Sequence, residues 1–161
     1  IMAIRRIHSV ILLMTIFISP VATSSDMGDD NKAKGKYLVT IGGCNDCHTA
    51  GYAPSGGAIP ESQWLLGEQL GFRGPWGTTY PINLREYIGN LSESEWVATA
   101  KELKTRPPMP WWILNTMTED DLRAVYQYVK SLGSVKNTVP SFVPPEEEPN
   151  PPYIQWPQPP E

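Results

Sequence analysis

The sequence predicts an all-α domain with long irregular loops and a proline-rich C-terminal tail, and three observations carry that prediction. Apolar residues recur at helical spacing in three stretches, beginning near Lys32, Glu93 and Glu119. Two of those stretches open on helix-capping sequences, Ser92-Glu93-Ser94-Glu95 and Thr118-Glu119-Asp120-Asp121. After the first comes the pentapeptide Cys44-Asn45-Asp46-Cys47-His48, around which the rest of the chain is organised.

Residues 1–24 read as a secretory signal peptide. Arg5 and Arg6 form its positive start, Val10 to Ile18 its apolar run, and Val21-Ala22-Thr23-Ser24-Ser25 offers small residues for cleavage. The run falls short of the roughly 20 apolar residues that span a membrane. A membrane anchor follows only if the segment stays uncleaved. The expected organisation is then residues 25–138 as one domain and residues 139–161 as the tail.

The first helix begins near Lys32, with Tyr37, Leu38 and Ile41 on one expected apolar face. Gly35 inside it costs about 1 kcal/mol relative to alanine, which makes sense where another helix crosses closely; the alternative is a tolerated surface glycine. Gly42-Gly43 ends the helix and frees the backbone to present Cys44.

Two thiols three positions apart, followed at once by an imidazole, are the attachment signature of a c-type haem. Cys44 and Cys47 can form thioethers with the haem vinyl groups, and His48 can reach the iron. Cys-x-x-Cys also serves thioredoxin-like redox proteins. The adjacent His48 and the lack of a strand-helix-strand pattern argue against that use. A closed zinc site needs about four ligands, and no second Cys/His pair completes one.

Residues 49–60 read as a loop, and residues 64–84 as mostly irregular chain punctuated by glycine and proline. The aromatics there, Trp64, Phe72, Trp76 and Tyr80, pack either on a large flat apolar object such as a haem or on the domain's own core. Ser92 caps a helix running to about Leu103, with Trp96, Val97, Ala100 and Leu103 on one stripe. Thr105 to Trp112 cannot be regular helix, because prolines flank Met109 on both sides. Thr118 caps the last helix, whose stripe is Leu122, Val125, Tyr126, Val129 and Leu132, and Gly133 ends it. The tail holds nine of the 17 prolines and has polyproline II character. Phe142, Tyr153 and Trp156 can pin it to the domain; the alternatives are a docking segment or a solvated tail.

The iron's second ligand follows by elimination. His8 lies in the leader, so His48 is the single histidine of the trimmed chain. Met2 and Met14 leave with the leader, and Met27 lies in a loose polar stretch. Met117 adjoins a helix cap, where it suits a hydrophobic staple or core filler. Met109 sits between Pro108 and Pro110, whose rings restrict the backbone and can aim a thioether. Met109 is the favoured ligand, with core filling as its ordinary alternative. Arg73 and Arg106 are candidates to neutralise haem propionates, or plain surface charges. The formal net charge of −4 gives no support to nucleic-acid binding.

Taken together and in order, these pieces resemble class I c-type cytochromes, and are similar to single-haem relatives of the cytochrome c subunits of bacterial membrane-bound dehydrogenases. The matching residues are Gly35-Lys36-Tyr37-Leu38-Val39, Cys44 to Thr49, Gly77-Thr78-Thr79-Tyr80 with Asn83, Pro108-Met109-Pro110-Trp111, and Thr118 to Leu122 running into Tyr128 to Leu132. The resemblance implies a first and last helix crossing at Gly35 and Tyr128, with Tyr126 the alternative. It also implies helices packed around one covalently attached haem c, and a methionine ligand in the loop before the last helix. The dehydrogenase subunits carry several haem motifs and this chain carries one.

The expectation is a periplasmic electron carrier rather than an enzyme, with His48 and Met109 as axial iron ligands and a raised reduction potential. Its partners would be redox proteins: a dehydrogenase, a reductase or a terminal oxidase. The alternatives are a haem c subunit of a larger dehydrogenase or oxidase complex, and a haem peroxidase or gas sensor with an open sixth position.

Overall fold

The computed structural model describes residues 24–156. The expected leader, with His8, Met2 and Met14, lies outside the described residues, Ser24 excepted. The elements in order are α1 (Ser24–Ile41), α2 (Cys44–His48), a 3-10 turn (Glu61–Gln63), β1 (Gly71–Gly74), β2 (Gly77–Thr79), α3 (Leu84–Gly89), α4 (Glu93–Glu102), α5 (Trp111–Thr116), α6 (Glu119–Ser131) and β3 (Tyr153–Gln155). Among the described residues no helix is long and apolar enough to cross a membrane.

The all-α expectation is therefore corrected. Among the described residues, six helices accompany a three-stranded mixed sheet of order β2-β1-β3. β1 runs antiparallel to β2, pairing Phe72 with Thr79 and Gly74 with Gly77, so Pro75 and Trp76 alone form the turn. β1 runs parallel to β3, pairing Gly71 with Tyr153 and Arg73 with Gln155. Strands of three or four residues are too short to display a period of two, and β3 lies in the proline-rich stretch. Neither signal could be read as a strand.

The helices form for the reasons the sequence offers. Ser92 and Glu95 close a full capping box on α4, and Thr118 and Asp121 close one on α6. Trp96, Val97 and Ala100 of α4 are buried, as are Leu122, Val125, Tyr128 and Val129 of α6. The Trp96 indole N–H donates to the Leu122 carbonyl at 2.9 Å, tying α4 to α6.

α1 crosses α6 at Gly35. A Cβ there would stand 2.6 Å from the Tyr128 Cβ and collide with the Ala124 carbonyl, so only glycine permits this approach. The crossing also corrects the expected face of α1. Tyr37 and Ile41 are each 61% exposed, while Val39 is buried. The closeness of α6 decides the rotation of the helix, and it points those two residues to solvent.

The proline-rich segment is pinned to the domain over its described residues, up to Trp156. Val143 pairs with Thr78 on the outer edge of β2 through bonds of 2.7 and 3.0 Å. Arg73 pairs with Glu148 at 3.0 Å, and Trp156 N–H donates to the Arg73 carbonyl at 2.6 Å. Asn137 reaches the Leu66 carbonyl at 2.8 Å. The segment thus straps both outer faces of the β1–β2 hairpin.

Candidate haem-attachment site

α2 is one turn of helix made of the pentapeptide itself. It starts from Gly43, which takes a left-handed φ of 68°. That conformation is open to glycine at no steric cost, and it turns the chain sharply from α1 into Cys44.

Cys44 and Cys47 are unpaired and half-buried. Burial pushes the Cys44 thiol up to about 11, with the nearby Asp46 carboxylate adding to the shift. Burial raises Cys47 as well. A thiol poised for exchange chemistry is shifted the other way, toward its thiolate. Among the described residues, no three His, Cys, Asp or Glu side chains converge as a single ion would require. The two thiols and the imidazole are spread along one turn instead.

His48 is buried, and its Nδ1 lies 2.8 Å from the Ile82 carbonyl oxygen. A carbonyl only accepts, so Nδ1 carries the proton and donates. Nε2 then holds the lone pair and makes no hydrogen bond among the described residues. Burial lowers the imidazole pKa, against the opposing pull of the Ile82 bond. The ring is held neutral, in the tautomer a metal ligand needs.

Two loops hold this turn in place. Gly67 N–H donates to the His48 carbonyl at 2.8 Å. Thr49 donates to the Asn45 side chain at 2.7 Å, and its hydroxyl accepts from Leu65 N–H at 2.7 Å. Leu84 N–H closes on the Leu65 carbonyl at 2.9 Å. Next to Ile82, Asn83 caps α3 by accepting from Glu86 N–H and donates to the Val135 carbonyl at 2.8 Å. Ile82, Asn83 and Thr49 were not singled out as site residues from the sequence. Asn83 with Glu86 three residues later is a cap signal that could have marked the α3 start. The Ile82 carbonyl has no side-chain signal at all.

Met109 lies in the α4–α5 loop, half-buried against the hydrophobic core. Thr79 of β2 donates to the Pro107 carbonyl at 2.8 Å, two residues before it. The short segment from Thr79 to Ile82 thus touches the Met109 loop at one end and His48 at the other. Met117 sits at the α5 C-cap, and its methyl lies by Gly42, as does the Cys44 sulfur. Trp111 and Trp112 pack edge to face at 5.7 Å, but Trp112 is 55% exposed. Arg73 and Arg106 are engaged by the strap: Arg73 by Glu148, and Arg106 stacked 3.8 Å over the Phe142 ring.

The residues present fit a covalently held haem. The donor set comprises two unpaired thiols and one neutral imidazole with a free Nε2. Buried polar atoms without partners include Trp76 Nε1 and Thr78 Oγ1 on the hairpin and Asn45 Nδ2 in the motif. Of these three, Asn45 lies within the motif itself, where a buried donor calls for an acceptor. Compared with known proteins, the chain matches no family model, no curated protein and no solved structure.

Proposed function

We propose that the chain is a monohaem c-type cytochrome that carries electrons between redox proteins outside the cytoplasm. One observation carries the reading: Cys44, Cys47 and His48 share a single turn, with the thiols unpaired and the imidazole fixed by Ile82 so that Nε2 is free. Cys44 and Cys47 would hold the haem through thioethers, and His48 and Met109 would supply the nitrogen and sulfur that bind its iron. The bound iron supplies one-electron chemistry between Fe(II) and Fe(III). This chain's own residues would bind the group and fix the tautomer of His48 through the Ile82 carbonyl. With His48 and Met109 both on the iron, the group would serve electron transfer rather than substrate binding. Partners of the dehydrogenase, reductase or terminal oxidase type need only brief contact over small interfaces. The leader-like sequence at residues 1–24 supports export, and bacteria attach haem c outside the cytoplasm.

Expression alongside a haem c maturation system tests this. One covalent haem per chain is expected, retained under denaturing conditions and low-spin when oxidised. Replacing both cysteines with alanine removes the covalent haem. A high-spin ferric form that readily takes up cyanide or peroxide would replace the carrier reading with an enzyme or sensor.

A further inference from the structure

We infer that the proline-rich C-terminal strap is a positioning element for the Met109 thioether. The inference rests on the haem reading above.

The loop that carries Met109 cannot hold itself. In Arg106-Pro107-Pro108-Met109-Pro110, three of five positions lack an N–H donor. The Met109 carbonyl accepts from Trp111 N–H at 2.9 Å, a bond that closes a local turn and anchors nothing beyond it. Anchorage must come from outside, and the structure supplies it at two points. Thr79 Oγ1 donates to the Pro107 carbonyl at 2.8 Å. The Arg106 guanidinium lies 3.8 Å over the ring of Phe142, a strap residue.

Both points lead back to the same piece of strap. The Phe142 ring lies against Gly77, 2.8 Å from where a Cβ would stand. Val143, the next residue, exchanges two backbone bonds with Thr78. Thr78 precedes Thr79, the residue that holds Pro107. The strap therefore fixes β2, and together with β2 it grips the Met109 loop immediately upstream of the sulfur. Gln69 to Thr138 at 2.7 Å and Arg73 to Glu148 at 3.0 Å hold the strap on either side of Phe142.

Loosening the grip raises the population in which Met109 is off the iron. A competing ligand gains apparent affinity in proportion to that population. The test is imidazole titration of the full ferric holoprotein, with the methionine-to-iron charge-transfer band recorded alongside. Phe142→Ala and Thr79→Val are expected to bind imidazole about tenfold more tightly than wild type, with covalent haem content unchanged. Thr79→Val cuts only the β2 side of the grip; if Phe142→Ala does not fold, Arg106→Leu removes the strap's contact with the loop while leaving the strap's backbone bonds to β2 intact. Trp156→Ala alters only a half-exposed ring at the strap's far end and should match wild type. A strap that only stabilises would lower the melting temperature of Phe142→Ala and leave imidazole affinity unchanged. Wild-type affinity in Phe142→Ala, or in Arg106→Leu where Phe142→Ala does not fold, overturns the inference and leaves the haem reading standing. A wild type with covalent haem but no methionine band overturns the Met109 assignment, and the inference with it.

Discussion

The helical side of the molecule and its hairpin-and-strap side are held by contacts of different range. α4 and α6 each carry their own caps and stripe, and α1 needs only Gly35 to seat against α6. The hairpin is completed by a strand about 80 residues downstream, and Gly77 at its turn is covered by the strap residues Phe142 and Val143. The first region depends mainly on local pattern and apolar burial. The second depends on chain returning over a long loop, which costs closure entropy before any contact forms. Yet the second holds the residues that fix His48 and the Met109 loop. Stability and site geometry are therefore placed largely in different halves, and substitutions should separate them.

The largest expected effect is on the helical side. Gly35→Val forces side-chain atoms into the Ala124 carbonyl and the Tyr128 Cβ, and should cost about 3 kcal/mol as overpacking. Gly77→Ala should cost less, about 1–2 kcal/mol, because it places a side chain at φ 95° beneath Phe142. Urea denaturation gives the stabilities. The comparison predicts that Gly77→Ala disturbs the oxidised spectrum while Gly35→Val, where folded, does not. Equal spectral disturbance in both would dissolve the division between the two regions.

A smaller effect concerns pH. The Lys36 ammonium beside Glu61, helped by the Tyr128 hydroxyl, holds the Glu61 carboxyl below its ordinary 4.5. The unfolded chain binds a proton there more readily than the folded one. The ionised carboxylate therefore stabilises the fold above about pH 4.5, and that contribution fades as pH falls through the lower folded-state value. Glu61 is partly exposed, so solvent screens the effect. Stability measured at pH 7 should be slightly lower in Glu61→Gln than in wild type, and the gap should narrow as pH falls below 4.5. A gap that stays constant through the acid range would assign the loss to something other than charge.

The same division explains what could be read in advance. The Ser92 capping box, the Thr118 N-cap, the α4 and α6 stripes and Gly133 as the α6 terminator are local patterns, and they were legible. So was the use of Gly35, because a glycine inside a helix calls for a close neighbour. The face of α1 was misread, since Tyr37, Leu38 and Ile41 fit helical spacing while the approach of α6 turned Tyr37 and Ile41 outward. The sheet was illegible, because Gly71 to Thr79 carries too few residues per strand and its third partner sits among prolines. Within the site, the thiols and imidazole were legible from their spacing. The Ile82 acceptor was not, because a backbone carbonyl is the same at every residue.

The identity of the second axial ligand is the point on which the carrier reading turns. The direct measurement is the methionine-to-iron charge-transfer band of the oxidised holoprotein in wild type, Met109→Ala and Met117→Ala. The band should be present in wild type, lost in Met109→Ala and kept in Met117→Ala. Loss in Met117→Ala with retention in Met109→Ala would contradict the assignment of Met109 to the iron.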